Sequence, residues 1–127
     1  GTNARTQYPL AAERGHPLLS GLADALHPAV LRLIGEVAQA AHQYGKFTGV
    51  CGELAGDPLA VPVLVGLGVD ELSMNPGAAP RAKAIVRVLK MEQARSLAAE
   101  VLAAPGAPEV RQIAKAFFQS QIEPSLK

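Results

Sequence analysis

Apolar positions recur along most of this chain with two alternating rhythms. From residue 28 to 44 the spacing is helical: Val30, Ile34, Val37 and Ala41 recur on one side, with Leu31 and Ala38 beside them. Glu36, Gln39 and Gln43 take the other side, Pro28 suits the first helical position, and Gly45 is a C-terminal stop. Lys46 to Cys51 then reads as a short buried strand. Asp57-Pro58 opens a second helix, with Asp57 as N-cap, carrying Leu59, Val61, Val63, Leu64 and Leu67 and ended by Gly66 and Gly68. Val69 to Met74 reads as the next strand, stopped by Asn75-Pro76-Gly77. Three helices follow. One starts at Pro80 and buries Ala84, Ile85, Val88 and Leu89. One spans Met91 to Ala103, with Ala94, Leu97, Ala98 and Val101 on one face. The last starts at Pro108, with Val110, Ile113, Ala114 and Phe117 inward.

Residues 1–27 lack a sustained period and read as a long loop, with a helical turn around Tyr8 to Arg14. The order is therefore loop, helix, strand, helix, strand and three helices. Helix–strand alternation at this spacing argues for parallel β/α units. Two strands alone cannot make a sheet buried on both faces, so the pattern predicts the end of a larger α/β fold closed by a helical tail. The chain starts at Gly1-Thr2-Asn3, in turn-type residues and without a methionine, which suggests a fragment cut just after a strand.

Composition narrows the function. At 127 residues, 49% of them hydrophobic, the chain has a one-domain length and a real core. Net charge is +1 with scattered basic residues, which gives no nucleic-acid footprint. No apolar run approaches the roughly 20 residues of a membrane span. One cysteine excludes an internal disulfide framework and fits a reducing, cytoplasmic compartment. That cysteine, Cys51, ends the first strand, with Gly49, Gly52 and Gly56 around it. In parallel α/β folds ligands sit at the carboxyl ends of strands, so a thiol there can face a substrate. A small buried hydrophobe is the other reading of a lone cysteine. Glu53 either orders the turn by accepting backbone hydrogen bonds or simply sits at the start of a helix. His16, His27 and His42 have no metal-ligand spacing and read as surface or loop residues.

Several elements occur in a recognisable order: Gly1-Thr2-Asn3, Thr6-Gln7-Tyr8, Glu13-Arg14-Gly15, Pro28-Ala29-Val30-Leu31, the run from Cys51-Gly52-Glu53-Leu54 to Ala55-Gly56-Asp57, and Leu72-Ser73-Met74. Together they resemble the carboxyl-terminal part of the phosphoenolpyruvate-protein phosphotransferase family, the enzymes I of bacterial sugar phosphotransferase systems. The similarity covers nearly the whole chain and is weakest after about residue 90. Pyruvate phosphate dikinases and phosphoenolpyruvate synthases share a Cys-Gly-Glu element but usually differ in the residues after it, and rank second.

The resemblance implies that residues 1–127 are the last quarter of a (β/α)8 TIM barrel: the loop after strand six, then strands seven and eight with their flanking helices, plus a helical tail. A whole barrel needs about 250 residues. It further implies phosphoenolpyruvate and Mg²⁺ as ligands and pyruvate as a product. The phosphoryl group passes to a histidine on a separate domain and on to the carrier HPr. By resemblance, Cys51 is the acid that protonates the methylene carbon of the enolate. Arg14 binds the substrate phosphate, and Asn3 with the adjacent Ala4 backbone contacts the substrate. One departure matters. The family has an aspartate metal ligand where this chain has Ala4, and leucine where it has Arg5. Alanine offers no oxygen to Mg²⁺, so the chain carries no identifiable metal ligand. A degenerate paralogue or a non-enzymatic assembly module is the alternative. A quarter barrel is expected to expose an apolar sheet face and to form homo-oligomers.

Overall fold

The computed structural model describes residues 25–126. Asn3, Ala4, Arg5, Arg14, His16 and the expected helical turn at Tyr8 to Arg14 lie outside that range. Helix α1 spans Pro28–Gln43. Its start is fixed by His27, whose Nδ1 accepts a hydrogen bond from the Ala29 N–H at 3.1 Å, and by Pro28 in the first turn. Its buried stripe is Val30, Leu31, Ile34 and Ala38. Gly45, at φ 68°, takes the left-handed conformation that lets the chain turn back toward the sheet.

Strand β1 is Gly49–Cys51 and strand β2 is Glu71–Ser73. They pair in parallel, with Gly49 opposite Glu71, Val50 opposite Leu72 and Cys51 opposite Ser73. Both are shorter than the sequence predicts. Lys46 and Phe47 are exposed, Phe47 at 70%, so the buried strand expected over Lys46 to Cys51 reduces to Thr48 and Val50 pointing inward. The pairing nevertheless begins a residue early, because the Thr48 carbonyl accepts the Asp70 and Glu71 N–H groups.

Between the strands lie a single turn, α2 (Glu53–Gly56), and helix α3 (Ala60–Gly66). Asp57 separates them, and α3 starts later than the expected Asp57 cap, with Leu59 at the N-cap: Asp57 Oδ1 accepts the Leu59 N–H at 3.0 Å, and its carbonyl receives Ala60 and Val61. The sequence reading merged α2 into the loop, since four residues are too few for a hydrophobic period. After β2 come α4 (Ala79–Val88), α5 (Met91–Leu102) and α6 (Ala107–Phe117), then a π-type turn (Phe118–Ile122) and a 3₁₀ turn (Glu123–Ser125).

The main core joins α1, α3, α5 and α6 beneath the sheet. Leu31, Leu64, Val101 and Val110 are fully buried in it, and each large aliphatic contributes about 2 kcal/mol. A second cluster, Val61, Ala82, Ile85, Phe118 and Ile122, seats the C-terminal turns on α3 and α4. The Arg81 guanidinium stacks 5.9 Å above the Phe118 ring at that junction. Helices α3 and α5 cross where Gly66 meets Ala94.

One expectation is corrected here. The apolar face of the sheet, Val50 and Leu72, is turned onto the helices. The free face carries Gly49, Cys51, Glu71 and Ser73, all exposed, and is not apolar. The alternation of a two-residue period decides this: in each strand the one apolar residue is central, so its neighbours point the other way.

Candidate functional site

Both strands end on the same side, and their outgoing loops pack together. Beyond Cys51 the chain reverses at Gly52, whose φ of 107° is a conformation side-chain-bearing residues rarely adopt. That reversal directs Glu53 into the first turn of α2 while Leu54 and Ala55 anchor the turn in the core. Gly56 completes the approach: a Cβ there would sit 3.2 Å from the Ala78 Cβ, on the loop that follows β2. The two loops leave a cleft of about 580 Å³ bordered by Gly52, Glu53, Asp57, Ser73, Met74 and Asn75.

Cys51 immediately precedes Gly52 of this cleft and is exposed. The buried-hydrophobe reading of the lone cysteine is therefore overturned, because the period-two pattern places Val50, not Cys51, against the helices. Arg111 from α6 reaches the same corner, its Nη1 3.5 Å from Asp57 Oδ2, so the helical tail meets the segment that follows the cysteine. The charged side chains bordering the cleft, Glu53 and Asp57, are both acidic. An anionic ligand there requires cations from another part of the protein. Asn3, Ala4 and Arg14 lie outside the described residues.

The opposite, amino-terminal end of the sheet holds a separate polar cluster. Asp70 Oδ2 lies 2.7 Å from His42 Nε2 and accepts the Thr48 N–H at 2.8 Å. The His42 hydrogen bond first, and the Thr48 N–H second, hold the Asp70 carboxyl below its ordinary value. This fastens the end of α1 to the strand ends, away from Cys51. His42 and His27 thus have local structural roles that residue type alone does not reveal. Sequence reasoning also missed Ser73 as a neighbour of Cys51; period-two alternation in two parallel strands was the available signal.

With this geometry in place, similarity to known sequences fixes the class. Residues 1–91 match the family described as PEP-utilising enzyme, PEP-binding domain, and the chain belongs to that family. The relatives are more specific. The chain is 45% identical over 118 residues to the phosphoenolpyruvate-protein phosphotransferase of Haemophilus influenzae, covering 93% of this chain and 20% of that protein. It is 43% identical over 119 residues to a Salmonella typhimurium protein named phosphoenolpyruvate-dependent phosphotransferase system, covering 94% of this chain and 16% of that one. It is 50% identical over 111 residues to the multiphosphoryl transfer protein of Rhodobacter capsulatus, covering 87% and 13%. The chain thus spans a fifth or less of these relatives, and it corresponds to the carboxyl-terminal PEP-binding part.

Proposed function

We propose that this chain is the last quarter of a phosphoenolpyruvate-binding (β/α)8 barrel, β1 and β2 being its seventh and eighth strands. Its enzyme moves the phosphoryl group of phosphoenolpyruvate to a protein histidine and on to the carrier HPr, in the cytoplasm. The observation that carries this reading is an exposed thiol at the carboxyl end of a parallel strand, inside a domain that matches a PEP-binding family. Loss of the phosphoryl group leaves an enolate. Cys51 donates its proton to the methylene carbon, and pyruvate leaves. A thiol suits the task because it is a compact acid that tolerates a mixed polar and apolar surrounding. The Gly52 reversal directs the chain away from the thiol, so the substrate carbon has room to approach.

Phosphoenolpyruvate is a trianion near neutral pH, and the acidic border of the described cleft does not bind it unaided. Arg14 supplies the paired N–H donors for its phosphate, and Asn3 with the Ala4 backbone orients it. Mg²⁺ serves the family by neutralising such charge. Ala4 offers no side-chain oxygen to that ion, so that position does not fit it. No step here is routed through it.

The test is Cys51→Ala in the full-length enzyme, followed by pyruvate formation from phosphoenolpyruvate. The expected loss is on the order of 100-fold; an undiminished rate removes Cys51 from the chemistry. Ala4 favours a second reading, a degenerate domain kept for assembly. Titration calorimetry separates the two: heat of phosphoenolpyruvate binding to the full-length protein supports the enzyme, and its absence supports the assembly role.

A further inference from the structure

We propose that Gly56 is a positioning residue for the Cys51 thiol: its bare backbone seats the loop after β2 and so fixes the direction from which a substrate carbon meets the acid. This rests on the reading of Cys51 as the proton donor and adds the residue that aims it. Protonation of carbon is demanding in geometry. The acid must stand over one face of the enolate, and a misplacement of about 1 Å can cost on the order of 100-fold in rate. Cys51 and Ser73 form the last pair of the strand register, and beyond them each chain enters its own loop.

The two loops meet again at Gly56. A Cβ on this residue would lie 3.2 Å from the Ala78 Cβ, 3.4 Å from the Met74 Cβ and 4.0 Å from the Met74 Sδ. Met74 follows the last residue of β2, and Ala78 is the N-cap of α4. Gly56 therefore faces both ends of the same loop. That loop is a closed turn, with the Ala78 N–H donating to the Asn75 carbonyl at 2.9 Å. The Ala78 carbonyl accepts the Ala82 N–H at 3.2 Å, which ties the turn to the first residues of α4. Gly56 itself ends α2, whose Leu54 and Ala55 are buried in the core. Gly52, Gly56, Ser73, Met74 and Ala78 all border one cleft.

A side chain at position 56 must displace one of these partners. The α2 side is anchored in the core, while Met74 and Ala78 are half-buried and their loop is otherwise exposed, so the loop gives way. Packed groups transmit such a shift to their neighbours. Met74 adjoins Ser73, so the displacement reaches the last strand pair and turns Ser73 and Cys51 relative to each other. The fold survives and the alignment is lost. The need for glycine here is one of contact. Gly45, Gly52 and Gly68 have positive φ, whereas Gly56 does not, so alanine can adopt its backbone and tests the contact alone.

The experiment uses the full-length enzyme and phosphoenolpyruvate with one deuterium at a defined methylene position, turned over in tritiated water. A fixed acid protonates one face, so wild type gives pyruvate of one methyl configuration. Gly56→Ala is expected to lower kcat roughly ten-fold, to leave KM within about two-fold and to give mixed configurations. Adding Ala78→Gly to Gly56→Ala removes the closest contact and should recover both rate and selectivity; glycine is accepted at a helix N-cap. Wild-type rate and selectivity in Gly56→Ala overturn the proposal. So does a rate loss with selectivity intact, which is what a smaller folded fraction produces, and so does a double variant as impaired as the single one. Cys51→Ala tests the underlying reading. If it is inactive while Gly56→Ala matches wild type, the positioning role alone falls; if it keeps full rate and selectivity, the acid is misassigned. Should Gly56→Ala fail to fold by circular dichroism, Ala78→Val adds volume from the other side of the same contact: mixed configurations support the proposal and a single one overturns it.

Discussion

At the scale of single residues, polar groups at the amino-terminal end of the sheet make the clearest predictions. Thr48 is 9% exposed, and its hydroxyl finds no hydrogen-bond partner among the described residues. A buried, unpaired hydroxyl costs roughly 1 kcal/mol or more. Thr48→Val keeps the shape and removes that cost, so it should raise stability by about 1 kcal/mol in urea unfolding. Asp70 is the opposite case, well satisfied by His42 and the Thr48 N–H. Its carboxyl is depressed from 3.8, so its contribution is complete above that value and disappears as pH falls through the lowered one. Asp70→Asn should therefore melt below wild type at mild pH, with the gap closing in strong acid; a gap constant with pH would refute the assignment. Neither effect was legible in the sequence. An Asp and a His 28 residues apart meet only because β1 and β2 align.

Elements were legible where a period had room to repeat. Helix α5 appears within one residue of its expected span, with Ala94, Leu97, Ala98 and Val101 all buried. Twelve residues give the 3.6 rhythm three full turns to declare itself. Strands of three residues give no such room, and their ends were overestimated. Helix crossings leave still less trace. Gly66 reads only as a helix stop, yet a Cβ there would overlap the Ala94 carbonyl. Helices α3 and α5 touch backbone to backbone at that point. Gly66→Ala must push them apart, and a loss of about 3 kcal/mol is expected from the denaturant midpoint. Gly56→Ala, against the Cβ atoms of Ala78 and Met74 at 3.2 and 3.4 Å, should cost less, since those neighbours lie on a loop.

For the whole molecule, the family was legible in short motifs, while the loop that closes the candidate cleft from the β2 side was not. The cleft bordered by Gly52, next to Cys51, depends on Ser73, Met74 and Asn75, which a linear reading assigns to a strand end and a turn. The expected free apolar face is absent, so any self-association must use other surface. Two strands leave two open edges, and along β2 an apolar groove remains between Met74, Ala82, Val86 and Met91, with Val86 46% and Met91 48% exposed. In the proposed barrel, upstream sequence covers it. The 127-residue chain by itself should therefore sediment as more than a monomer at high concentration and release no pyruvate from phosphoenolpyruvate. A strictly monomeric boundary would show that the groove is tolerated in water, and measurable turnover would overturn the quarter-barrel proposal.

The pairing of β1 with β2 also bears on how fast this part of the protein comes together. Thr48 and Asp70 are joined across only 22 residues, with α2 and α3 as the intervening crossover. Rates of folding fall as contacting residues become more distant along the chain, because each loop must close before its contact can stabilise anything. A parallel sheet is ordinarily slow by that rule. Here the crossover is short, and α3 brings its own helical contacts to the closure. The β1–α3–β2 unit is thus suited to act as a nucleus on which the remainder of a larger sheet could assemble, strand by strand, from its open edges.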